Sequence, residues 1–228
     1  MLNALKEALS LLFGGDPGIY KLIATSFKLS LTSTSVAAII ALPFGIWFGL
    51  SEFRGRRYVD IILNTLLFLP TVVVGHLVYM LLTREGPLGE FRLLFSPTAI
   101  VIGQVILATP IIATMVSNAI RIADPRIIPS ALALGIGRFR TYLMLLGEVR
   151  ELVLLSVIAA FGRVIAEVGV SMMLGGNIFG KTRTITTGIA LLTSQGEFGR
   201  ATALGMILLI LVFMINILVY QAMHRANS

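Results

Sequence analysis

The sequence contains no cysteine, only two histidines and few charged residues. Without cysteine the chain cannot form a disulfide, a thiolate metal site or a cysteine nucleophile. The two histidines, His76 and His224, are too few and too far apart to indicate a metal cluster. Charged residues make up 13% of the chain, about half of the share that is typical of soluble domains. The sequence also lacks the soluble basic surface with interleaved aromatic residues that nucleic-acid binding requires.

Apolar residues take the place of the missing charges. They make up 57% of the sequence, and the mean hydropathy is +0.94. Apolar runs of about 20 residues are long enough for an α-helix to cross a bilayer. We therefore predict an all-α integral membrane protein in which residues 1–228 form a single transmembrane domain, with no room for a separate catalytic domain. The five predicted spans cover residues 27–50, 59–82, 97–120, 152–174 and 201–223.

Glycine, proline and leucine positions add detail to this plan. Leucines at helical spacing predict a short amphipathic helix within residues 1–18 that lies at the membrane surface. Gly45 and Gly49 form a GxxxG pair in the first span, which permits another helix to pack closely. Pro70 and Pro110 lie inside the second and third spans, where proline predicts a kink.

Residues 121–150, which we call the basic loop, separate the third and fourth spans and contain five arginines. Asp124 before Pro125 predicts a helix N-cap followed by proline at the first helical position. Apolar residues recur at helical spacing through the loop, and Gly135 and Gly137 interrupt this helix and let the chain turn. So long and so ordered a loop predicts a docking element. Its candidate residues are Asp124, Arg126, Ser130, Ala131, Gly135, Gly137, Arg138 and Arg140.

The distribution of lysine and arginine predicts the orientation in the membrane. Arg54, Arg56 and Arg57 follow the first span, and the basic loop follows the third, so both loops are assigned to the cytoplasmic side. The N-terminus is then outside and the C-terminus inside. The basic residues that lie on the outer side against this rule are Lys21, Lys28, Lys181 and Arg183.

Residues 175–199, rich in glycine and threonine, are predicted to connect the fourth and fifth spans. They begin GGNIFGKT, which matches the P-loop pattern GxxxxGK[ST] letter for letter. A P-loop follows a strand, whereas a membrane span comes first here, so we expect no nucleotide binding. Hydrogen-bond donors and cations in this segment suit an oxyanion at the outer mouth, and an ordinary polar loop facing a partner protein is the alternative. These candidates are Asn177, Lys181, Thr182, Arg183 and Thr184.

Three ionisable residues are predicted to lie well inside the spans, away from their ends, where charge is costly. Arg163 and Glu167 are four residues apart in the fourth span, so we expect them on one helix face as a structural ion pair. The alternative places Arg163 along an anion path or near a gate. His76 in the second span is interpreted as an interior histidine with a partner, or else as part of the same path.

Two segments resemble one family of transport proteins. PSALALG at residues 129–135 keeps the register of a cytoplasmic loop signature of the form EAA, three residues, Gly, with Ala131 and Gly135 matching. Pro129 and Ser130 replace the usual Glu and Ala, and the closing Leu-Pro of the signature is absent. Residues 161–198, which include GGNI and TRTITT, are more specific. Over residues 20–224 the chain resembles an ABC transporter permease of the molybdate, tungstate and sulfate type, and most closely its tungstate branch.

This resemblance implies the type I importer permease fold and a homodimer in the cell membrane. It also implies two cytoplasmic ATPase subunits and an extracytoplasmic oxyanion-binding protein. ATP and Mg would bind in the ATPase subunits, so no cofactor is expected in this chain, which would be non-catalytic. The basic loop would carry motion from the ATPase to the spans. The implied function is import of tungstate by alternating access, with molybdate and sulfate as alternatives.

An ATP-independent secondary carrier or channel is the competing interpretation from another class. Ion-coupled carriers usually have internal repeats and intramembrane ionisable groups that bind the coupling ion. The two halves of this sequence show no repeat, and Glu167 is the only deeply placed acid. The organised basic loop therefore favours the ABC permease.

Overall fold

The computed structural model describes residues 17–225, so the amphipathic helix expected within residues 1–18 lies almost wholly outside the described residues. Within that range the regular structure is helical, as the sequence predicted. The α-helices in chain order are α1 (Pro17–Leu50), α2 (Arg56–Leu67), α3 (Thr71–Leu82), α4 (Pro97–Ile122), α5 (Ile127–Ala133), α6 (Arg138–Glu148), α7 (Arg150–Ile165), α8 (Gly169–Gly175), α9 (Ile185–Ser194) and α10 (Phe198–Arg225). A 3-10 turn, Gly89–Phe91, lies between α3 and α4.

The membrane spans are of two kinds. Three helices, α1, α4 and α10, are long and apolar enough to cross a bilayer alone. Two further helix pairs are long and apolar enough only when taken together, and each is bent at a short break: α2 and α3 by 97°, and α7 and α8 by 60°. Counting each bent pair as one span gives the five that the sequence predicted. The all-α membrane fold is therefore confirmed.

Several predicted boundaries need correction. The helix that contains the first predicted span is described from Pro17 instead of from residue 27, so it also includes Lys21. Pro110 lies within a continuous α4, but Pro70 ends a helix instead of only bending it. Proline has no N–H to donate to the preceding turn, and its ring collides with that turn's carbonyl. As a result Pro70 lies outside both helices and N-caps α3.

Helix α9 was not predicted at all, because its glycine and threonine residues are typical of loops. It begins with a reciprocal capping box between Thr184 and Thr187. The Thr184 hydroxyl accepts the Thr187 N–H at 3.2 Å, and the Thr187 hydroxyl accepts the Thr184 N–H at 2.9 Å. The hydroxyl of Ser26 in α1 accepts the next donor, the N–H of Ile185, at 2.8 Å. Two of these three partners are side chains of the segment itself, so a short helix can start there.

The described residues form two compact units. The first comprises the chain up to Ser33, Pro70–Gln104, and everything from Val164 onward. The second comprises Thr34–Leu69 and Val105–Arg163. That residues 1–228 act as a single permease domain stays a prediction.

Small residues bring the helices of each unit together. In the second unit, a Cβ on Gly49 would lie 2.9 Å from the Cβ of Ile120, closer than real Cβ atoms approach. One on Gly45 would lie 3.0 Å from the carbonyl oxygen of Ala113, so the GxxxG prediction of close packing is confirmed. In the first unit, Gly75 of α3 packs against the Sδ atom of Met173 in α8 in the same way.

Candidate functional site

The basic loop folds as two short helices, α5 and α6, joined by residues 134–137. Gly135 has φ of +76°, a left-handed conformation that glycine adopts without strain. This turn lets the N–H of Ile136 reach back 3.0 Å to the carbonyl of Ala131 and close the end of α5. The prediction that the two glycines interrupt the helix is confirmed.

The start of the loop differs from the prediction. Helix α5 begins at Ile127, two residues after Pro125, and Asp124 is not its N-cap. The Asp124 carboxylate instead accepts the backbone N–H of Arg126 at 2.9 Å and two guanidinium donors at 3.1 and 3.0 Å. These bonds stabilise the charged carboxylate, so they hold the pKa of Asp124 below its ordinary value. The Asp124 carboxylate therefore closes a turn, and helix α5 begins after that turn.

Most of the loop's candidate residues face solvent. The Arg126 side chain is 85% exposed, and only Ala131 is buried, at 2%. Leu132 and Leu134 on the same helix end are exposed too, at 43% and 79%. A charged surface with uncovered leucines is typical of a docking site. The other exposed candidates are Asp124, Ser130, Gly135, Gly137, Arg138 and Arg140.

The point where α4 enters the basic loop is fastened by residues that the sequence analysis missed. Arg121 donates to both oxygens of Asp60 in α2, at 2.8 and 3.2 Å. Its guanidinium also lies 5.0 Å from the ring centroid of Phe48, a fully buried residue of α1. Arg56 contacts the same ring at 5.5 Å and donates to the carbonyls of Phe48 and Gly49. A signal existed in the sequence, since Asp60 is a lone acid within an apolar helix.

Residues 175–187, which we call the threonine segment, fasten themselves through their own side chains. The hydroxyl of Thr182 is completely buried, accepts the N–H of Ile178 at 2.9 Å and donates to the carbonyl of Gly175 at 2.6 Å. Asn177 adopts a left-handed φ of 51°, and both its oxygens accept from the guanidinium of Arg183 at 3.1 to 3.2 Å. The conformation of the segment is therefore fixed by hydrogen bonds among its own residues.

This geometry differs from that of a P-loop. Helix α8 precedes the segment, as predicted, and α9 begins only at Ile185. In a P-loop the threonine hydroxyl faces a magnesium ion at the start of the helix. Here the Thr182 hydroxyl is engaged by the loop's own backbone, and the Thr184 hydroxyl caps α9. Of the five predicted oxyanion contacts, Lys181 alone is exposed, while Arg183 is half-buried and packs 5.5 Å from the Phe179 ring.

Arg163 and Glu167 do not share one helix face, because α7 ends at Ile165. That part of the prediction is wrong, and the ion pair between them stays a prediction. Glu167 is 3% exposed, and its carboxylate accepts the N–H of Val170 in the first turn of α8 at 3.2 Å. Its backbone carbonyl accepts the hydroxyl of Thr186 at 2.9 Å. Glu167 therefore joins the beginning of α8 to the threonine segment.

His76 lies on the exposed side of α3, beside Val73, Leu77 and Met80. The interpretation as an interior histidine with a partner does not hold for the single chain. That His76 contributes to a path therefore stays a prediction.

A buried polar network escaped the sequence analysis. The Ser33 hydroxyl of α1 donates to Gln104 of α4 at 2.8 Å, and the Gln104 amide donates to Ser171 of α8 at 3.4 Å. All three side chains are at most 1% exposed. In an apolar surrounding each polar group needs such a partner, so the network fixes how these three helices meet.

Comparison with known proteins places this geometry in context. Residues 41–227 match the family described as "Binding-protein-dependent transport system inner membrane component". The tungstate uptake system permease protein TupB of Peptoclostridium acidaminophilum is 38% identical over 216 residues, which is 95% of each chain. TupB of Campylobacter jejuni is 39% identical over 221 residues, or 97% of this chain and 92% of that one. The molybdenum transport system permease protein ModB of Escherichia coli K12 is 30% identical over 213 residues, or 87% of this chain and 92% of that one.

Proposed function

Because the chain belongs to the family of binding-protein-dependent transport system inner membrane components, we propose that it forms the membrane path of an ATP-driven tungstate importer. Two relatives named as tungstate permeases are 38% and 39% identical to it, against 30% for the molybdenum permease. Tungstate is therefore the first candidate and molybdate the second. As a multi-pass inner membrane protein, the chain moves substrate and performs no chemistry of its own.

The partners follow from this role. We propose a homodimer that binds two cytoplasmic ATPase subunits, which hold ATP and Mg, and receives the ion from an extracytoplasmic binding protein. The basic loop and the C-terminus face the cytoplasm, and the N-terminus is outside. The arginines that follow α1 and those of the basic loop support this orientation, because basic residues accumulate on the cytoplasmic side.

The observation that carries the proposal is the exposed basic loop, rooted in α4. Helix α5 is a short element flanked by two exposed residues, Arg126 at its N-cap and Leu134 at its C-cap, and this is the kind of surface that could enter a cleft in an ATPase. The ion pair of Arg121 with Asp60 and the Phe48 contact attach the loop's root to α2 and α1. A displacement of the loop would therefore move these helix ends together, which is the mechanical requirement of alternating access.

Along the path, Lys181 is the residue of the threonine segment best placed to meet an incoming dianion, because its ammonium group is exposed. Arg183 stiffens the same segment through Asn177. Thr182 and Thr184 act on the ion indirectly, by fixing the loop that presents the lysine. His76, Arg163 and Glu167 remain candidates for the path or a gate.

The test is reconstitution of the tagged chain in proteoliposomes with its copurified ATPase and binding protein. Tungsten, molybdenum and sulfur accumulated inside are measured by mass spectrometry, with and without ATP. We expect ATP-dependent accumulation of tungstate that excess molybdate inhibits more strongly than excess sulfate does. Uptake by the chain alone, driven by an ion gradient, would support the carrier instead.

A further inference from the structure

The first unit contains a cavity to which the proposed function assigns no role. A cavity of about 420 Å³ lies between the first turns of α1, helix α9 and the beginning of α10. One part of its wall is polar and cationic, formed by Arg183, Gln195 and Arg200. The rest is aliphatic, and its main residues are Ile19, Leu22, Leu191, Leu192 and Leu204.

Both arginines are positioned by neighbours and retain donors. Arg183 donates through Nε and Nη2 to Asn177, and Arg200 donates through Nη1 to Glu197 at 3.0 Å. A guanidinium carries five N–H donors, so these bonds use only part of each set. No acidic residue lines this cavity within the described part of the chain. The polar wall is therefore suited to an anion with several acceptor oxygens.

The aliphatic wall is part of a fixed core. Ile19, Leu22 and Leu204 are at most 9% exposed and belong to one buried cluster. Gly188 lines the cavity between two of them, where a Cβ would lie 3.5 Å from Leu204 and 3.6 Å from Leu22. Those are ordinary van der Waals distances, so a methyl group fits there, and a longer side chain would have to extend into the cavity. The absence of a side chain at Gly188 keeps the cavity open.

Two simpler ligands, an inorganic oxyanion and an apolar molecule, would each match only one part of the cavity wall. An inorganic oxyanion would bind the arginines and leave the leucines against water, whereas an apolar molecule would leave the remaining guanidinium donors of the two arginines without acceptors. Phe179 lines the cavity and Phe198 begins α10, and their rings are exposed, at 50% and 65%, as is typical of aromatic residues at the membrane–water boundary. At that boundary the abundant molecules with both an anionic oxygen group and a hydrocarbon chain are phospholipids.

We propose that this cavity binds one phospholipid, with its phosphate at Arg183 and Arg200 and one acyl chain along the leucines. The shared chemistry is a phosphate ester, which a soluble glycerol phosphate also carries, but the aliphatic wall favours the lipid. Each buried methylene raises affinity about fourfold, so the chain contributes most of the selectivity. The site shares Arg183 with the threonine segment of the proposed path, but the proposal does not depend on which ion is transported.

The experiment is native mass spectrometry of the purified full chain, delipidated and titrated with dioleoyl phosphatidylglycerol. We expect one tightly retained lipid per chain. Arg183→Gln combined with Arg200→Gln weakens this binding about tenfold or more, because charge-assisted hydrogen bonds are lost. The matched control removes two exposed arginines elsewhere in the same unit, Arg84→Gln with Arg92→Gln, and leaves the affinity unchanged. Equal weakening by both pairs would mean nonspecific attraction of an anionic lipid and would overturn the proposal.

The aliphatic wall is tested separately. Gly188→Leu fills the cavity and abolishes retention, whereas Gly205→Leu on α10, where a Cβ meets nothing within 4 Å, leaves it intact. Gly188→Ala keeps the fold testable if leucine prevents folding, and it lowers affinity by a smaller factor. Retention of the lipid by a folded Gly188→Leu chain contradicts an acyl chain at this place.

Competition identifies the source of the phosphate. We expect neither glycerol 3-phosphate nor tungstate to displace the lipid, and dihexanoyl phosphatidylglycerol to bind far more weakly than the dioleoyl form. Displacement by glycerol 3-phosphate at comparable concentration would assign the site to a soluble phosphate ester. Displacement by tungstate would assign it to the transport path, and either result overturns the lipid.

Discussion

Arg121 and Asp60 form a two-bond ion pair, with N–O distances of 2.8 and 3.2 Å, at the point where α4 enters the basic loop. Both side chains are partly exposed, at 29% and 30%, so the pair contributes less than about 1 kcal/mol to stability. The ion pair matters because it holds two helices in position: it joins α2 to α4, the helix that leads into the basic loop.

The first prediction separates position from stability. Asp60→Asn is expected to lower ATP-dependent uptake about fivefold or more, the lower range of allosteric coupling, with only a small change in melting temperature. The swap of Asp60→Arg with Arg121→Asp restores part of the uptake. Glu197→Gln, which breaks an exposed ion pair of similar length with Arg200, serves as the control. Uptake that falls only in proportion to stability would contradict a coupling role.

Reversal of charge on the basic loop is expected to release the ATPase. Arg126→Glu with Arg138→Glu alters two exposed arginines, so membrane insertion and the fold remain intact while copurification of the ATPase decreases. The comparison is Arg84→Glu with Arg92→Glu, which changes charge equally on the opposite predicted side. A normal yield of complex from the loop variant would count against docking.

The pH dependence of this docking follows from Asp124. Because Arg126 holds its pKa below the ordinary value, the carboxylate stays charged in the folded loop at neutral and mildly acidic pH. Its contribution is complete above the unfolded pKa and is lost only as pH falls through the lowered folded pKa. We expect Asp124→Asn to weaken ATPase binding by the same factor at about pH 5.5 and about pH 8. A factor that changes between these two conditions would show that another group titrates.

Thr182 is expected to matter for stability. Thr182→Val removes the partner of the Ile178 N–H and of the Gly175 carbonyl and lowers the free energy of unfolding by about 1–3 kcal/mol. Thr182→Ser keeps both bonds and most of the stability. Thermal melting of the purified variants measures the difference, and equal melting temperatures would mean that the hydroxyl is dispensable.

Lys181→Ala is expected to leave basal ATP hydrolysis by the assembled complex unchanged, apart from any loss of stimulation by the binding protein. The reason is that the GKT sequence forms a capped turn between two helices instead of a P-loop. Direct titration of the isolated chain with ATP provides the second readout. Measurable affinity that this substitution removes would restore nucleotide binding as a function.

Local patterns predicted the features that have local causes. Apolar runs predicted the spans, the glycines at 45 and 49 predicted a close helix contact, and Gly135 predicted the turn in the basic loop. At the break after Ile165, by contrast, the carbonyl of Glu167 accepts the hydroxyl of Thr186, which lies 19 residues away. The pair of Arg121 and Asp60 spans 61 residues, and no spacing rule connects such positions. These two features were missed because hydrogen bonds join distant parts of the chain.

The bond from the N–H of Ile185 to the hydroxyl of Ser26 has a consequence for the order of folding. Its two residues are 159 positions apart, so α1, an early helix of the chain, holds the beginning of α9. Contacts of such separation form late, because the intervening chain must first be ordered. The spans can enter the membrane one after another, but α9 gains this bond only after the chain has been made as far as Ile185. A chain truncated before that residue would leave the Ser26 hydroxyl without this donor and α1 without its contact to the start of α9.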